Sequence, residues 1–145
     1  MKLVVPLERR PHERRVAASV ETVKKLVAKG FDVMIEQGAG ARASITDEQY
    51  KAAGAAIQKD AKALYKGADV VLKVQKPLRA GEGDLDELAL IPKGATLIAT
   101  INPYQSHEDI AAYAKAGVTA LALELVPRIT RAQSMDVLSS QSNLA

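Results

Sequence analysis

Short apolar runs rich in β-branched residues recur along the chain at intervals too long for hairpins. They lie at residues 3–5, 33–35, 70–74, 96–100 and 118–123. Stretches rich in Ala, Lys and Glu separate them, with apolar residues at helical spacing, as at Val20, Val23 and Val27. Because the runs lack the polar alternation of a half-exposed sheet, the pattern predicts a doubly wound α/β fold. Its sheet is mainly parallel, five-stranded and flavodoxin- or Rossmann-like, with helices on both faces.

Local signals place the ends of the helices. The predicted helices lie at residues 20–29, 46–54, 59–66, 82–88 and 106–117. Thr46 and Gln49 have the spacing of a capping box, in which two side chains satisfy free N–H groups at a helix start. Ser106 is the predicted N-cap of the last helix, and Gly30 follows the first helix at the position that glycine favours.

Composition narrows the class of protein. The 145 residues include 20 Lys and Arg against 17 Asp and Glu, which indicates one ordinary globular domain with a net charge of +3. The absence of cysteine excludes disulfides, thiolate nucleophiles and cysteine-based metal sites, and we expect no metal. Scattered basic residues and only 3% aromatic residues argue against nucleic-acid binding. The apolar start is too short for a signal peptide, so we expect a soluble chain.

A glycine-rich segment follows the second predicted strand. GAGARA, residues 38–43, fits the G-x-G-x-x-G/A spacing of dinucleotide-binding turns. In those turns the helix begins within the glycine motif, whereas the capping box places this helix start at Thr46. The acidic ribose partner that such turns need about 20 residues further on, at the end of a following strand, is also missing. We therefore interpret the segment as a tight turn and not as a phosphate site.

Basic residues near the predicted strand ends are candidate anion contacts, because ligands of open α/β sheets bind beyond the carboxyl ends of the strands. Arg15 lies in the loop after the first strand and precedes a short apolar run. Lys73 alternates with apolar neighbours in the third strand, and a buried lysine needs an anionic partner. A solvated loop position for Arg15 and a structural salt bridge for Lys73 remain open as alternatives.

The alternation of strands and helices stops at residue 126. Residues 127–145 are rich in hydrogen-bonding side chains, and their composition alone indicates a linker. From the residue pattern, the chain is an α/β domain followed by a polar loop.

Several segments together resemble a known family. They are VPLERRPHERRVA, EQGAG, ASITDEQYKAAGA, ADVVLKVQKP and MDVLSSQSNLA. They are similar to the N-terminal domain of the alanine dehydrogenase and nicotinamide nucleotide transhydrogenase family, and the resemblance spans essentially all 145 residues. It implies a subunit of two α/β domains. Residues 1–126 would be the first domain, and residues 127–145 would be a nicotinamide-facing loop and the start of a linker to an absent Rossmann domain that binds most of the NAD(H).

Two positions indicate which branch of the family the chain resembles. The alanine dehydrogenases carry a lysine that binds the pyruvate carboxylate and a histidine that acts as acid and base, and these positions fall on Gln75 and Asn102. Neither carboxamide titrates near neutral pH, so neither serves as the general acid that carbonyl reduction needs. Hydride transfer between two nicotinamide rings moves no proton at the reacting carbon, so the departures favour the transhydrogenase branch.

The resemblance also implies roles for the tail. Arg128 and Asp136 would orient the nicotinamide ring and ribose, Gln133 would reach toward the nucleotide of the partner subunit, and Ser139 would contact the carboxamide. Arg128, Gln133 and Asp136 are accordingly the expected catalytic group.

The function implied is that of the NAD(H)-binding alpha subunit of a proton-translocating transhydrogenase. We expect a homodimer, peripheral on the cytoplasmic face of a bacterial inner membrane, whose partners are membrane-embedded and NADP(H)-binding subunits. An alanine dehydrogenase domain and a stand-alone module that binds a small anion remain the alternatives.

Overall fold

The computed structural model describes residues 1–137, and Ser139 therefore lies outside the described residues. The strands are β1 Lys2–Val5, β2 Asp32–Glu36, β3 Ala56–Gln58, β4 Val70–Gln75, β5 Thr96–Thr100 and β6 Thr119–Ala122. The helices are α1 Val20–Ala28, α2 Asp47–Ala52, α3 Ala61–Tyr65, α4 Glu87–Leu90 and α5 His107–Ala116. Single turns of 3-10 helix lie at Ala41–Ala43 and Leu123–Leu125.

The strands form one parallel sheet in the order β3-β2-β1-β4-β5-β6, which confirms the predicted α/β class. The number of strands differs from the prediction, since the sheet has six strands and not five. The additional strand is β3, which pairs Ile57 with Ile35 at the sheet edge. It is only three residues long and contains Ala and Gln, so its local pattern carries no strand signal. Pairing with β2, rather than propensity, makes it a strand.

Most of the predicted helix ends are confirmed. Thr46 and Gln49 form the capping box at the start of α2, and Gly30 adopts a φ of 86° just after α1. Ser106 is the N-cap residue of α5, but its side chain makes no capping hydrogen bond. The fourth helix begins later than predicted, because α4 starts at Glu87. The preceding residues form a turn in which Glu82 accepts a hydrogen bond from the Arg79 N–H.

The glycine-rich segment is a tight turn, as predicted. A Cβ atom on Gly40 would stand 2.7 Å from the Ile45 carbonyl oxygen and 2.8 Å from the Tyr50 ring. Glycine is therefore needed for the close packing of the turn against α2. That helix begins only at Asp47, beyond the glycines, in agreement with the capping box.

Two hydrophobic layers enclose the sheet. On one side α3, α4 and α5 cover the strands, with Leu64 and Tyr113 packed on Val71 and Leu97. On the other side α1 and α2 pack Val23 and Tyr50 against β1 and β2. The two layers hold the carboxyl ends of the strands at one edge of the sheet, where the loops after β1, β4 and β6 meet.

Candidate functional site

The sheet has a topological switch point between β1 and β4. From β1 the chain runs outward to β2 and β3, and from β4 it runs in the opposite direction to β5 and β6. The loops at the carboxyl ends of β1 and β4 therefore leave in opposite directions and open a crevice between them. This crevice is where ligands of doubly wound sheets bind.

A cavity of about 400 Å³ opens at this place. Its walls come from the loop after β1, the ends of β4 and β5, and the segment after β6. The lining residues are Arg15, Val16, Ala17, Lys73, Val74, Thr100, Leu123, Met135 and Val137. The cavity thus brings together both basic residues predicted from the pattern and two residues of the tail, Met135 and Val137. A mixed polar and apolar wall of this size is typical of a site for a small organic ligand.

The Arg15 guanidinium lies at the rim of this cavity and is held by Glu13. Its Nε and Nη2 atoms donate to the two Glu13 carboxylate oxygens at 2.8 and 2.7 Å. The Gln75 amide donates to the same carboxylate at 2.9 Å. These contacts fix Arg15 in one orientation, although 55% of its side chain is exposed. The role of Arg15 as an anion contact stays a prediction, and any anion there would meet a guanidinium already paired with a carboxylate.

The Glu13 carboxylate has a strongly shifted acidity. Hydrogen bonds from the Arg15 side chain lower the pKa of Glu13 to about 2, because they stabilise the ionised form despite its burial. A lowered pKa contributes stability that is present above the usual pKa of about 4.5 and is lost as the pH falls through about 2.

Replacing Glu13 with glutamine should therefore reduce the free energy of unfolding at pH 7 by about 1–2 kcal/mol, a modest value because Arg15 is half exposed. The difference should shrink toward pH 2, and urea unfolding at both pH values measures it. Glu21→Gln, in an exposed pair with Lys25, is the matched control and should change nothing measurable. An NMR titration of Glu13 near its ordinary pKa would contradict this pairing.

Lys73 lies just below the cavity floor in a buried ion cluster. Its Nζ atom is 3.1 Å from Glu87 Oε1 and 3.5 Å from Glu8 Oε2, and only 2% of the residue is exposed. The salt bridge that the sequence left open as an alternative is thus present. A ligand anion at Lys73 would have to compete with two carboxylates, and this contact also stays a prediction.

The same cluster extends to the end of β2. Arg9 forms a two-pronged ion pair with Glu36, and its Nη1 atom is 3.4 Å from Glu87. The buried Tyr65 hydroxyl donates to Glu87 at 3.3 Å, and burial raises the pKa of Tyr65 well above its usual value. The three carboxylates in this cluster were not predicted. They are distant in the chain, with 78 residues separating Arg9 from Glu87, so no local spacing marks them.

The carboxylates also fasten the strand ends. Glu8 accepts the Val74 N–H at 2.6 Å, and Glu36 accepts the Leu7 N–H at 2.8 Å. Glu124, after β6, accepts the N–H groups of Ile101 and Asn102. Each bond satisfies a backbone donor where the strands diverge and no longer pair. The cluster therefore sets the width of the crevice as well as neutralising charge.

The tail folds back toward the crevice through a series of turns. The Ala132 N–H donates to the Ile129 carbonyl at 2.8 Å, and the Asp136 N–H donates to the Ala132 carbonyl at 2.8 Å. This brings Arg128 Nε to 3.6 Å from Asp136 Oδ2. Asp136 is 4% exposed, whereas 66% of the Arg128 side chain is exposed.

The structure thus brings two of the tail residues, Arg128 and Asp136, together. Gln133 is exposed on the same loop. Their assignment to the nicotinamide, like that of Ser139, remains a prediction from resemblance.

The described residues show two further features. Residues 1–137 contain no group of His, Cys, Asp and Glu that could hold a metal ion. Among the helices described, none is both long and apolar enough to cross a membrane.

Three comparisons relate this chain to known proteins. It is 55% identical over 145 residues to the first portion of NAD(P) transhydrogenase subunit alpha from Rhodospirillum rubrum, covering 100% of this chain and 38% of that protein. The crystal structure of transhydrogenase from Sinorhizobium meliloti is 49% identical, with a TM-score of 0.89 over 99% of this chain and 39% of that one. An L-alanine dehydrogenase structure is 32% identical, with a TM-score of 0.80 over 90% of this chain and 34% of that one.

The chain is more similar to these transhydrogenases than to the alanine dehydrogenase, and it spans well under half the length of each. Residues 4–145 match the family described as "Alanine dehydrogenase/PNT, N-terminal domain". The chain belongs to this family.

Proposed function

We propose that this chain is the first domain of the NAD(H)-binding alpha subunit of a proton-translocating NAD(P) transhydrogenase. The observation that carries the proposal is the hydrogen bonding of Gln75. Its amide donates to Glu13 at the end of β4, where alanine dehydrogenases have a lysine for the substrate carboxylate. A charge that would capture a small 2-oxo acid is thus replaced by a neutral group committed to the protein.

The chemistry at the crevice supports the same conclusion. Asn102, at the position of the dehydrogenase histidine, adopts a φ of 58° and donates its backbone N–H to Glu124. Its carboxamide cannot deliver a proton to a carbonyl oxygen. Hydride transfer between two nicotinamide rings needs only that the rings be held in position, which hydrogen-bonding side chains can do.

The cavity at the switch point fits a nicotinamide ring. Val74, Leu123 and Met135 offer apolar surface, and Thr100 and Arg15 offer polar groups beside it. Bound NAD(H) would supply the hydride chemistry. The chain's own contribution is to orient the ring through Arg128, Asp136 and Ser139 and to exclude water with the apolar wall. Gln133, exposed on the loop, would face the nucleotide of the partner.

The remaining features of the proposal follow from the resemblance. Residues 1–126 are the domain proper, and residues 127–145 are the nicotinamide-facing loop and the start of the linker. Most of the NAD(H) site lies on a following Rossmann domain, and NADP(H) is held by a partner subunit. The subunit is a homodimer that docks on membrane-embedded partners at the cytoplasmic face.

One assay separates the two enzyme functions. The full-length subunit with its partners is expected to reduce an NADP+ analogue with NADH and to show no NADH oxidation with pyruvate and ammonium. The opposite result would establish the alanine dehydrogenase function. The third alternative, a small-anion module, is opposed by the carboxylates already paired with Arg15 and Lys73.

The division of the NAD(H) site predicts weak binding by this piece alone. The 145 residues offer a cavity for the ring, while the glycine turn at Gly40 is closed by packing and not open to phosphate. The isolated chain should therefore bind NADH more weakly than micromolar, the affinity that corresponds to about −8 kcal/mol. Isothermal titration beside the full-length subunit measures this. Micromolar binding by the piece would show that the main site lies within it.

A further inference from the structure

Half of one face of the sheet has no helix over it. On the side where α1 and α2 lie, these helices cover β1, β2 and β3, and among residues 1–137 no helix covers β4, β5 and β6. We call this surface the open half-face and define it by Val70, Leu72, Val74, Ile98, Thr100 and Leu121.

The register shows that the apolar members of this surface form a continuous row. Leu72 pairs with Ile98, and Ile98 pairs with Leu121, so their side chains stand side by side across three strands. Leu121 is 50% exposed, and Leu72 and Ile98 are only partly buried. On the opposite face of the same strands, Val71 and Leu97 are fully buried under the helices.

A parallel sheet with one bare half-face is incomplete. Parallel strands are normally covered on both faces, and their sequences are apolar on both. The β4 and β5 sequences, with Val70, Leu72 and Ile98 facing outward, have this two-sided pattern. The surface therefore calls for an apolar element that lies along the strands.

The tail enters the sheet at this surface. Met135 and Val137 line the crevice cavity beside Val74, Thr100 and Leu123, at the upper end of the open half-face. From there the sequence has a helical period of apolar residues, with Val137, Leu138, Leu144 and Ala145 on one side. Gln141 falls on that side as well, and the face spans about 120° of a helix, the width typical of a core-facing helix.

Length and handedness agree with this placement. A helix over residues 137–145 would extend about 13 Å, close to the roughly 16 Å of a five-residue strand. It would run from the carboxyl ends of the strands toward their amino ends, antiparallel to them as crossover helices do. A connection that returns from β6 toward β4 is right-handed only on the α1 side of the sheet, which is the open side.

We propose that residues 137–145 form an amphipathic helix that packs on the open half-face, with Val137, Leu138 and Leu144 against Ile98 and Leu121. The helix completes the second layer over β4, β5 and β6. This inference stands independently of the proposed function. Ser139 and Asn143 would lie on the opposite side of the helix, away from the sheet and accessible to a ligand.

Paired cysteines in the natural full-length chain test this contact. Ile98→Cys combined with Leu144→Cys should form an intramolecular disulfide on mild oxidation, because the two side chains face one another. Peptide mass spectrometry identifies the linked residues. The matched control combines Ile98→Cys with Asn143→Cys, one residue away on the far side of the helix, and should link about tenfold more slowly.

A second measurement does not require cross-linking. The single variant Ile98→Cys should react slowly with a thiol reagent, and adding Leu138→Asp and Leu144→Asp should speed the reaction about tenfold by detaching the helix. Equal linking of both cysteine pairs, or an unchanged labelling rate in the Asp variant, would overturn the proposal. Linking only between two chains, with a rate that rises with protein concentration, would also overturn it and show that a second copy covers the surface instead.

Discussion

Replacing Lys73 with methionine is expected to lower the free energy of unfolding by about 3–5 kcal/mol, the usual cost of removing one partner of a buried ion pair. The substitution leaves Glu8 and Glu87 facing each other without the ammonium that now lies 3.1 Å from Glu87. Methionine fills a similar volume, so the loss is electrostatic and not a cavity. Urea unfolding at pH 7 measures the change, with exposed Lys25→Met as the control that should alter little.

A companion variant tests the charge count of the cluster. Glu8, Glu36 and Glu87 oppose only Arg9 and Lys73, so the cluster holds one carboxylate in excess. Glu87→Gln should therefore cost less than Lys73→Met, because it balances the remaining charges while keeping an acceptor for the Leu78 N–H. An equal or greater loss from Glu87→Gln would show that hydrogen bonding, and not charge balance, dominates the cluster.

Arg128→Ala, Asp136→Asn and Gln133→Asn are expected to slow hydride transfer by about 100-fold while changing NADH affinity little. Under the proposed function these side chains position the reacting ring, and a shift of about 1 Å at the reacting atoms has a cost of this order. The adenosine and pyrophosphate contacts that dominate affinity lie on the following domain. Interactions made mainly in the transition state affect the rate more than binding.

Stopped-flow hydride transfer and equilibrium titration on the complete enzyme decide this prediction. Arg131→Ala is the matched control, since Arg131 is exposed on the same loop and should leave the rate unchanged. If NADH affinity falls in step with the rate, the loop is a ground-state binding element. A rate unaffected by Asp136→Asn would place the ring away from the Arg128–Asp136 pair.

The candidate site was only partly accessible from the sequence. Arg15 and Lys73 could be selected because they precede or lie within apolar runs, and both line the cavity at the switch point. Their partners could not be selected. Glu13, two residues from Arg15, looks like one more charge in a solvated loop, and only the fold brings Gln75 to it from β4. The resemblance supplied Arg128, Gln133 and Asp136, whose composition alone indicates a linker.

The sequence by itself determined the features that depend on neighbouring residues. The apolar runs specified five strands, the Thr46 capping box specified the start of α2, and the absence of polar alternation specified a parallel sheet. Tertiary structure decided the features that depend on distant residues. Pairing with β2 turned residues 56–58 into a strand. The meeting of loops at the switch point assembled the buried ion cluster around Lys73, because the free energy of a buried charge depends on partners that no local pattern identifies.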